Sequence, residues 1–175
     1  MSIKFVILGL LNKEPLTGYD LKKLITDSSI FYWSGNNNQI YTSLLQLHKE
    51  NFVSQEIQQQ VQHPARKIYT ITDKGEEELK KWILSDPEIP QYRNTFLFKL
   101  SCSDKLSKSE LILLIERHID EIKIKILMCK EENKRRIDMN FGSKKNFLLD
   151  IVYEKNILFY ETEVDWLKKL RTLLK

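Results

Sequence analysis

Two prolines three residues apart, in Asp86-Pro87-Glu88-Ile89-Pro90, divide this chain more decisively than any other feature in it. Neither fits a helix interior, because proline lacks the backbone N–H and its ring collides with the preceding turn. Before the break the hydrophobic period changes from helical to extended and back; after it the period stays helical. The sequence therefore predicts two parts, residues 1–85 and 91–175. With only 5 Gly and 4 Pro in 175 residues, the chain is too poor in turn formers for an all-β fold. Its 42% hydrophobic and 30% charged residues are those of an ordinary folded protein, here mainly α.

In the first part, Ile3 to Leu11 is apolar apart from Lys4 and Gly9, which predicts a short helix buried on most sides. Thr17-Gly18-Tyr19-Asp20 then has capping-box spacing, a carboxylate three residues after a hydroxyl. Leu21, Leu24 and Ile25 follow as one helical face. Ser34-Gly35-Asn36-Asn37 breaks the pattern before a third helix with Ile40, Leu44 and Leu47 inward and Asn38, Thr42, Ser43, Gln46 and Lys49 outward. From Phe52 to Val61 and from Lys67 to Thr72, β-branched and aromatic residues predict two strands, joined by a long tip at Gln62-His63-Pro64-Ala65. Thr72-Asp73-Lys74-Gly75 caps a fourth helix with Leu79, Trp82 and Ile83 inward. Three helices, a hairpin and a helix make a winged helix-turn-helix, whose third helix enters the DNA major groove.

Beyond the prolines, Tyr92 to Ser101 predicts a short helix, and Ser107-Lys108-Ser109-Glu110 a capped long one. Ile112, Ile115, Ile119, Ile122, Ile126 and Cys129 run along the long helix by threes and fours. After Asn140-Phe141-Gly142-Ser143, the last helix carries Val152, Phe159, Trp166 and Leu173 at steps of seven. Helices with such seams pack on one another and on something further, which implies a helical dimerisation domain.

Composition and motif spacing narrow the chemistry. His48, His63 and His118 lie on separate elements with no second ligand at metal spacing, and Cys102 and Cys129 are too few for a disulfide framework or a structural zinc site. The glycines are isolated, so there is no phosphate-binding loop. No nucleophile–base pair stands out, and neither an enzyme nor a cofactor is expected. The apolar run Phe5–Leu11 is far too short to span a bilayer and lacks a cleavage site after it, so the chain is expected in the cytoplasm with no membrane contact. The net charge of +4 is modest, but Ser28 to Lys49 holds no carboxylate and Glu50 and Glu56 are the only acids from Ser28 to Thr72. Such a surface approaches a polyanion without like-charge repulsion. Within it, the Asn36-Asn37-Asn38-Gln39 run reads either as a cap and loop or as side chains able to pair with an adenine edge. The aromatic set Phe31-Tyr32-Trp33, Tyr92, Phe96, Phe98, Tyr153, Phe159, Tyr160 and Trp166 reads as core and dimer interface or as the lining of a small-molecule pocket.

Several words of the sequence, taken together, resemble the PadR family of bacterial transcriptional regulators. They are Ile7-Leu8-Gly9-Leu10-Leu11, Leu16-Thr17-Gly18-Tyr19-Asp20-Leu21, Gln39-Ile40-Tyr41 through Leu44 and Leu47, and Ala65-Arg66-Lys67-Ile68-Tyr69-Thr70-Ile71-Thr72 with Gly75. The helical part is similar in length and layout to the longer of that family's two C-terminal types. The resemblance implies a homodimer bound to double-stranded operator DNA, usually as a repressor and sometimes as an activator. It implies groove contacts from Asn38, Gln39, Tyr41, Thr42 and Gln46. Phosphate contacts are implied for Thr17, Tyr19, Lys49, His63, Arg66 and Lys67. It also implies a small aromatic effector, phenolic acids being among those the family uses. Two positions depart from the family pattern. Thr42 stands where proline often follows the Ile-Tyr pair, adding a donor, and the wing tip Gln62-His63-Pro64-Ala65-Arg66 is less basic than a Gly-Arg-Pro stretch. The competing reading is a winged-helix module that binds a protein partner and no DNA.

Overall fold

The computed structural model describes residues 2–29, 37–60, 63–89, 94–139 and 147–174. The chain forms two compact units, Met1–Pro90 and Gln91–Lys175.

The first unit runs α1 (Ile3–Leu11), β1 (Leu16–Thr17), α2 (Gly18–Asp27), α3 (Asn37–Lys49), β2 (Val53–Gln60), β3 (His63–Ile71) and α4 (Asp73–Ile83). Helix α1 is buried along nearly its whole length, with Ile7 and Leu8 inaccessible, as its uniformly apolar sequence requires. Around it pack Leu21 and Ile25 of α2, Ile40, Leu44 and Leu47 of α3, Val53, Tyr69 and Leu79. Its single charge reaches out of this core: Lys4 Nζ donates to Glu78 Oε1 of α4 at 2.8 Å and sits 4.3 Å from the Phe52 ring centroid. Beside that pair Phe5 stacks on Trp82 at 4.7 Å. The Lys4 hydrogen bond holds the Glu78 carboxyl below its ordinary pKa.

The sheet has three strands in the order β1-β3-β2, one more than the expected hairpin. Leu16 pairs with Tyr69 and Thr17 with Ile68, so β1 is defined by its partner across the sheet and not by any local pattern. The second wing strand starts nearer the tip than expected, at His63 in place of Lys67, while the first is described as far as Gln60. β3 begins at His63, which pairs with Gln60, and between that pair and Gln58–Arg66 the two β3 residues Pro64 and Ala65 stand opposite Gln59 alone, a bulge on β3. Pro64 is tolerated because β3 has only just begun there, close to the turn. Two residues expected inside face solvent: Ile83 is 64% exposed and Leu24 43%. Each lies at the margin of its helix's inward face, where a neighbour, Leu79 or Leu21, already fills the core.

The second unit contains α5 (Thr95–Ser101), α6 (Lys108–Met139) and α7 (Phe147–Leu173). Asn94 caps α5 through Leu97 N, so the described helix starts after Tyr92, which itself lies outside the described residues. Ser107 and Glu110 close the expected capping box of α6. Ile115, Ile119, Ile122, Ile126 and Cys129 are buried in the expected seam of α6. The row of α7 that meets it is one residue later than expected. Tyr153, Tyr160, Leu167 and Leu174 face inward with Ile157 and Val164 between them, while Val152, Trp166 and Leu173 are exposed and Phe159 is half-buried. Two adjacent apolar rows run along α7, and Tyr153 can take the inner one because its hydroxyl finds a partner there. The Tyr153 hydroxyl donates to Glu132 at 2.7 Å, and burial pushes its pKa up. Arg136 pairs with Asp150 and donates to Asn133 at 2.7 Å in the same stretch.

Candidate nucleic-acid interface

At about 100° per residue, the buried Ile40, Leu44 and Leu47 leave the opposite face of α3 to Asn38, Thr42, Leu45 and Lys49. These four fall within roughly 60° of one another and all are exposed. Gln39 and Gln46 flank the stripe on one side, Tyr41 and His48 on the other. The candidate residues of α3 are thus brought onto one continuous surface. Leu45, 59% exposed at its centre, was not among the expected site residues. The signal was present: on a helix with one inward stripe through Ile40, Leu44 and Leu47, Leu45 falls about 160° from Leu47 and so on the outer face. An exposed leucine among polar groups offers the apolar contact that a thymine methyl takes.

Helix α3 is held at its C-terminal end by a close junction with α4. Asn51 lies in the left-handed region at φ 60°, and Phe52 N donates to Leu47 O at 2.9 Å while Asn51 N donates to His48 O at 3.0 Å. That pair of bonds is a Schellman motif, which satisfies carbonyls left open at a helix end. The exposed carbonyls beyond it are taken by α4: Thr72 Oγ1 donates to Asn51 O and Lys74 Nζ to Glu50 O, both at 2.8 Å. His48 Nδ1 donates to Val53 O at 3.2 Å, tying the helix to the first wing strand. The pitch of α3 is therefore set by bonds to both neighbours.

At the other end, Gly18 lets α2 approach the ring of Tyr41; a Cβ there would lie 2.7 Å from Tyr41 Cε1. Tyr41 also lies near Tyr69 of β3, whose pKa is raised first by burial and then by the field of Tyr41. One ring of α3 thus rests against the start of α2 and lies within electrostatic range of the wing strand β3.

Not every expected donor is available. Thr17 is fully engaged: its hydroxyl donates to Asp20 Oδ2 at 2.6 Å and accepts from Asp20 N, and its N–H donates to the same carboxylate. Its role is to start α2 and to place Tyr19, which is exposed at that helix's first turn. Thr42 Oγ1 donates to Asn38 O at 2.8 Å, so the hydroxyl that replaces the family's proline bonds within α3 and leaves its methyl and lone pairs outward. Gln46 Nε2 donates to Glu50 Oε1, a pairing at i, i+4 that the sequence reading also missed. Arg66 and Lys67 are exposed on β3, opposite Gln58 and Ile57, and their side chains alternate across the sheet. His63 opens β3, while Asn36, Phe31, Tyr32 and Trp33 fall outside the described residues. Phe96 does not line an open pocket: it is buried and stacked on His118 at 4.0 Å. Among the described residues, no three His, Cys, Asp or Glu side chains gather in a metal-binding group and no helix is long and apolar enough to cross a membrane.

The sequence model of the transcriptional regulator PadR-like family matches residues 7–81, and a second, described as virulence activator alpha C-term, matches 92–175. Residues 7–81 thus belong to the PadR-like family. It is 28% identical over 182 residues to the negative transcriptional regulator PadR of Bacillus subtilis (strain 168), covering 98% of this chain and 97% of that one. The crystal structure of Bacillus subtilis PadR in complex with operator DNA matches with a TM-score of 0.87 at 27% identity over 99% of both chains. The complex of that protein with p-coumaric acid matches at 0.79, again at 27% identity, over 98% of this chain and 94% of the other. Within this chain, α2, α3 and the wing make a winged helix-turn-helix, followed by a helical C-terminal domain. Its function class is that of a transcriptional regulator and not of an enzyme.

Proposed function

We propose that this chain is a cytoplasmic repressor that binds operator DNA as a homodimer, with residues 1–85 as the DNA-binding domain and 91–175 as the dimerisation domain. The observation that carries the reading is the outward face of α3, where Asn38, Thr42, Leu45 and Lys49 run in a stripe flanked by Gln39, Gln46 and Tyr41. In this arrangement the α3 side chains meet base edges in the major groove. Tyr19, Lys49, Arg66, Lys67 and His63 sit against the sugar–phosphate backbone, which fixes register without reading sequence. The fit of the fold to a relative crystallised on operator DNA supports it. Dimerisation is supported by the apolar surface that α7 leaves outside its own hairpin, Leu148, Ile151, Val152, Leu158 and Trp166. A single helical hairpin cannot bury that row by itself. Release by a small aromatic acid is supported by the p-coumaric acid complex of the same relative.

The test is fluorescence-anisotropy binding to the duplex upstream of the chain's own coding region, across roughly 50 to 300 mM salt, with and without p-coumaric acid. Tight, competitor-resistant binding with a steep salt slope, relieved by the acid, is the expected result. A folded dimer that binds no duplex in any condition overturns the DNA reading and leaves a winged-helix module for a protein partner.

A further inference from the structure

We infer that Glu50 is a specificity-determining residue that acts by orienting Gln46, so that Gln46 presents its carbonyl oxygen to the groove. The inference rests on α3 being the groove helix, as proposed above. A glutamine amide carries a donor and an acceptor side by side, and a free one turns over to suit either kind of base edge. Here Gln46 is not free to choose. Its Nε2 donates to Glu50 Oε1 one turn further along α3. An ionised carboxylate only accepts, so it pairs with the nitrogen end of the amide and never with the oxygen end. The bond is charge-assisted, about twice as strong as one between neutral groups.

Glu50 is itself well placed to hold that orientation. Its N–H donates to Gln46 O at 2.9 Å, and its carbonyl accepts from Lys74 Nζ at 2.8 Å. The next two residues close the Schellman motif, so the backbone that carries the carboxylate is fixed from both sides. With Nε2 drawn back toward the helix end, Oε1 is the group Gln46 offers outward. Base edges that present a donor, adenine N6 and cytosine N4, then meet the amide oxygen directly; guanine O6 and N7 and thymine O4, all acceptors, are left with the one remaining N–H of a nitrogen drawn back toward Glu50 and fit less well.

The carboxylate has a second effect that is separable from the first. It is one of only two acids from Ser28 to Thr72, and it lies at the end of the face proposed to meet DNA. Its charge weakens binding to every duplex alike, whereas its hydrogen bond acts on one side chain and hence on one base pair. Glu50→Gln removes the charge and leaves an amide that can pair with either end of Gln46; Glu50→Ala removes both the charge and the hydrogen bond.

The experiment is affinity selection of the full-length protein on a randomised duplex pool, sequenced for the wild type, Gln46→Ala, Glu50→Ala, Glu50→Gln and the Gln46→Ala/Glu50→Ala double variant. Wild type is expected to favour adenine or cytosine over guanine and thymine by roughly tenfold at the base pair that Gln46→Ala makes indifferent. Glu50→Ala should flatten that one position and leave the others, Glu50→Gln should keep the preference only in part because its amide can turn over, and both should bind non-specific duplex more tightly. In the Gln46→Ala background, Glu50→Ala should change no position further. An unchanged preference in Glu50→Ala, or an equal effect in the absence of Gln46, overturns the inference while leaving α3 as the groove helix. Loss of no positional preference in Gln46→Ala removes Gln46 from the interface and the inference with it. Enrichment of no sequence by the wild type overturns the regulator reading itself.

Discussion

The ring of Tyr41 rests against the bare α-carbon of Gly18, so close that a methyl group there would come within 2.7 Å of Cε1 and 3.3 Å of Cδ1. Tyr41 is 44% exposed, so its ring has room to swing aside. Gly18→Ala should therefore change folding stability by less than about 1 kcal/mol, since the added methyl also raises helix propensity. It should weaken specific duplex binding by roughly tenfold, or about 1.4 kcal/mol, because the displaced ring sits on the flank of the α3 stripe. In a Tyr41→Ala background the same glycine change should have almost no further effect on binding. Equal losses in both backgrounds, measured by anisotropy, would show that Gly18 acts by another route.

Gly75 is the opposite case. A Cβ there would lie 2.2 Å from Phe52 O and 2.8 Å from Ile71 Cγ1, and the nearest group is backbone. That carbonyl cannot retreat easily, because it accepts from Thr72 N at 3.1 Å while Phe52 N is bound to Leu47 O. Gly75→Ala should cost roughly 2–3 kcal/mol in urea denaturation, the range of an overpacked core site. Because the strain falls at the junction between α3 and α4, the sample that remains folded should also bind duplex more weakly.

How much of this could be read beforehand depended on distance along the chain. The Thr17–Asp20 and Ser107–Glu110 boxes and the Thr72 cap were legible because a cap is written within four residues. The seam of α6 was legible because only one face of that helix is isoleucine-rich. β1 was not, since two residues have no period and only Tyr69 and Ile68 across the sheet make them a strand. On α7 the aromatic residues Phe159 and Trp166 pointed to the wrong row; Tyr160 and Tyr153, the latter with its hydroxyl bound to Glu132, packed inward instead. In the site, residue types were legible on α3, but which donors remain available was not. Thr17 and Thr42 engage their own hydroxyls in bonds that depend on local geometry.

The Lys4–Glu78 pair makes a prediction about pH. Hydrogen bonding to Lys4 lowers the Glu78 pKa in the folded protein relative to its ordinary value of 4.5. A carboxyl whose pKa is depressed by folding stabilises the native state fully above that ordinary value, and the contribution is lost as pH falls through the lowered one. Melting temperature should thus fall on acidification below about pH 4.5. Glu78→Gln should be less stable than wild type at neutral pH, with the gap closing in acid. Parallel curves for the two proteins, followed by circular dichroism from pH 7 down to 3, would mean that the bridge between α1 and α4 contributes nothing.

Adjacent residues on α7 should fail in different ways. Leu167 is inaccessible in the α6–α7 core, whereas Trp166, next to it, is 39% exposed on the outer apolar row. Leu167→Ala leaves a cavity and should cost about 2–5 kcal/mol of stability. Trp166→Glu leaves the hairpin's own core intact and places a charge on the surface proposed to meet a second copy, where it would be buried without a partner. It should convert the dimer to a monomer in light scattering while the helical signal at low temperature persists. Duplex binding should fall with it, because two half-sites one helical turn apart need two recognition helices held at a fixed spacing. A Trp166→Glu protein that stays dimeric would move the interface away from the outer row of α7, to the apolar residues that α6 exposes at Leu113, Ile124 and Leu127.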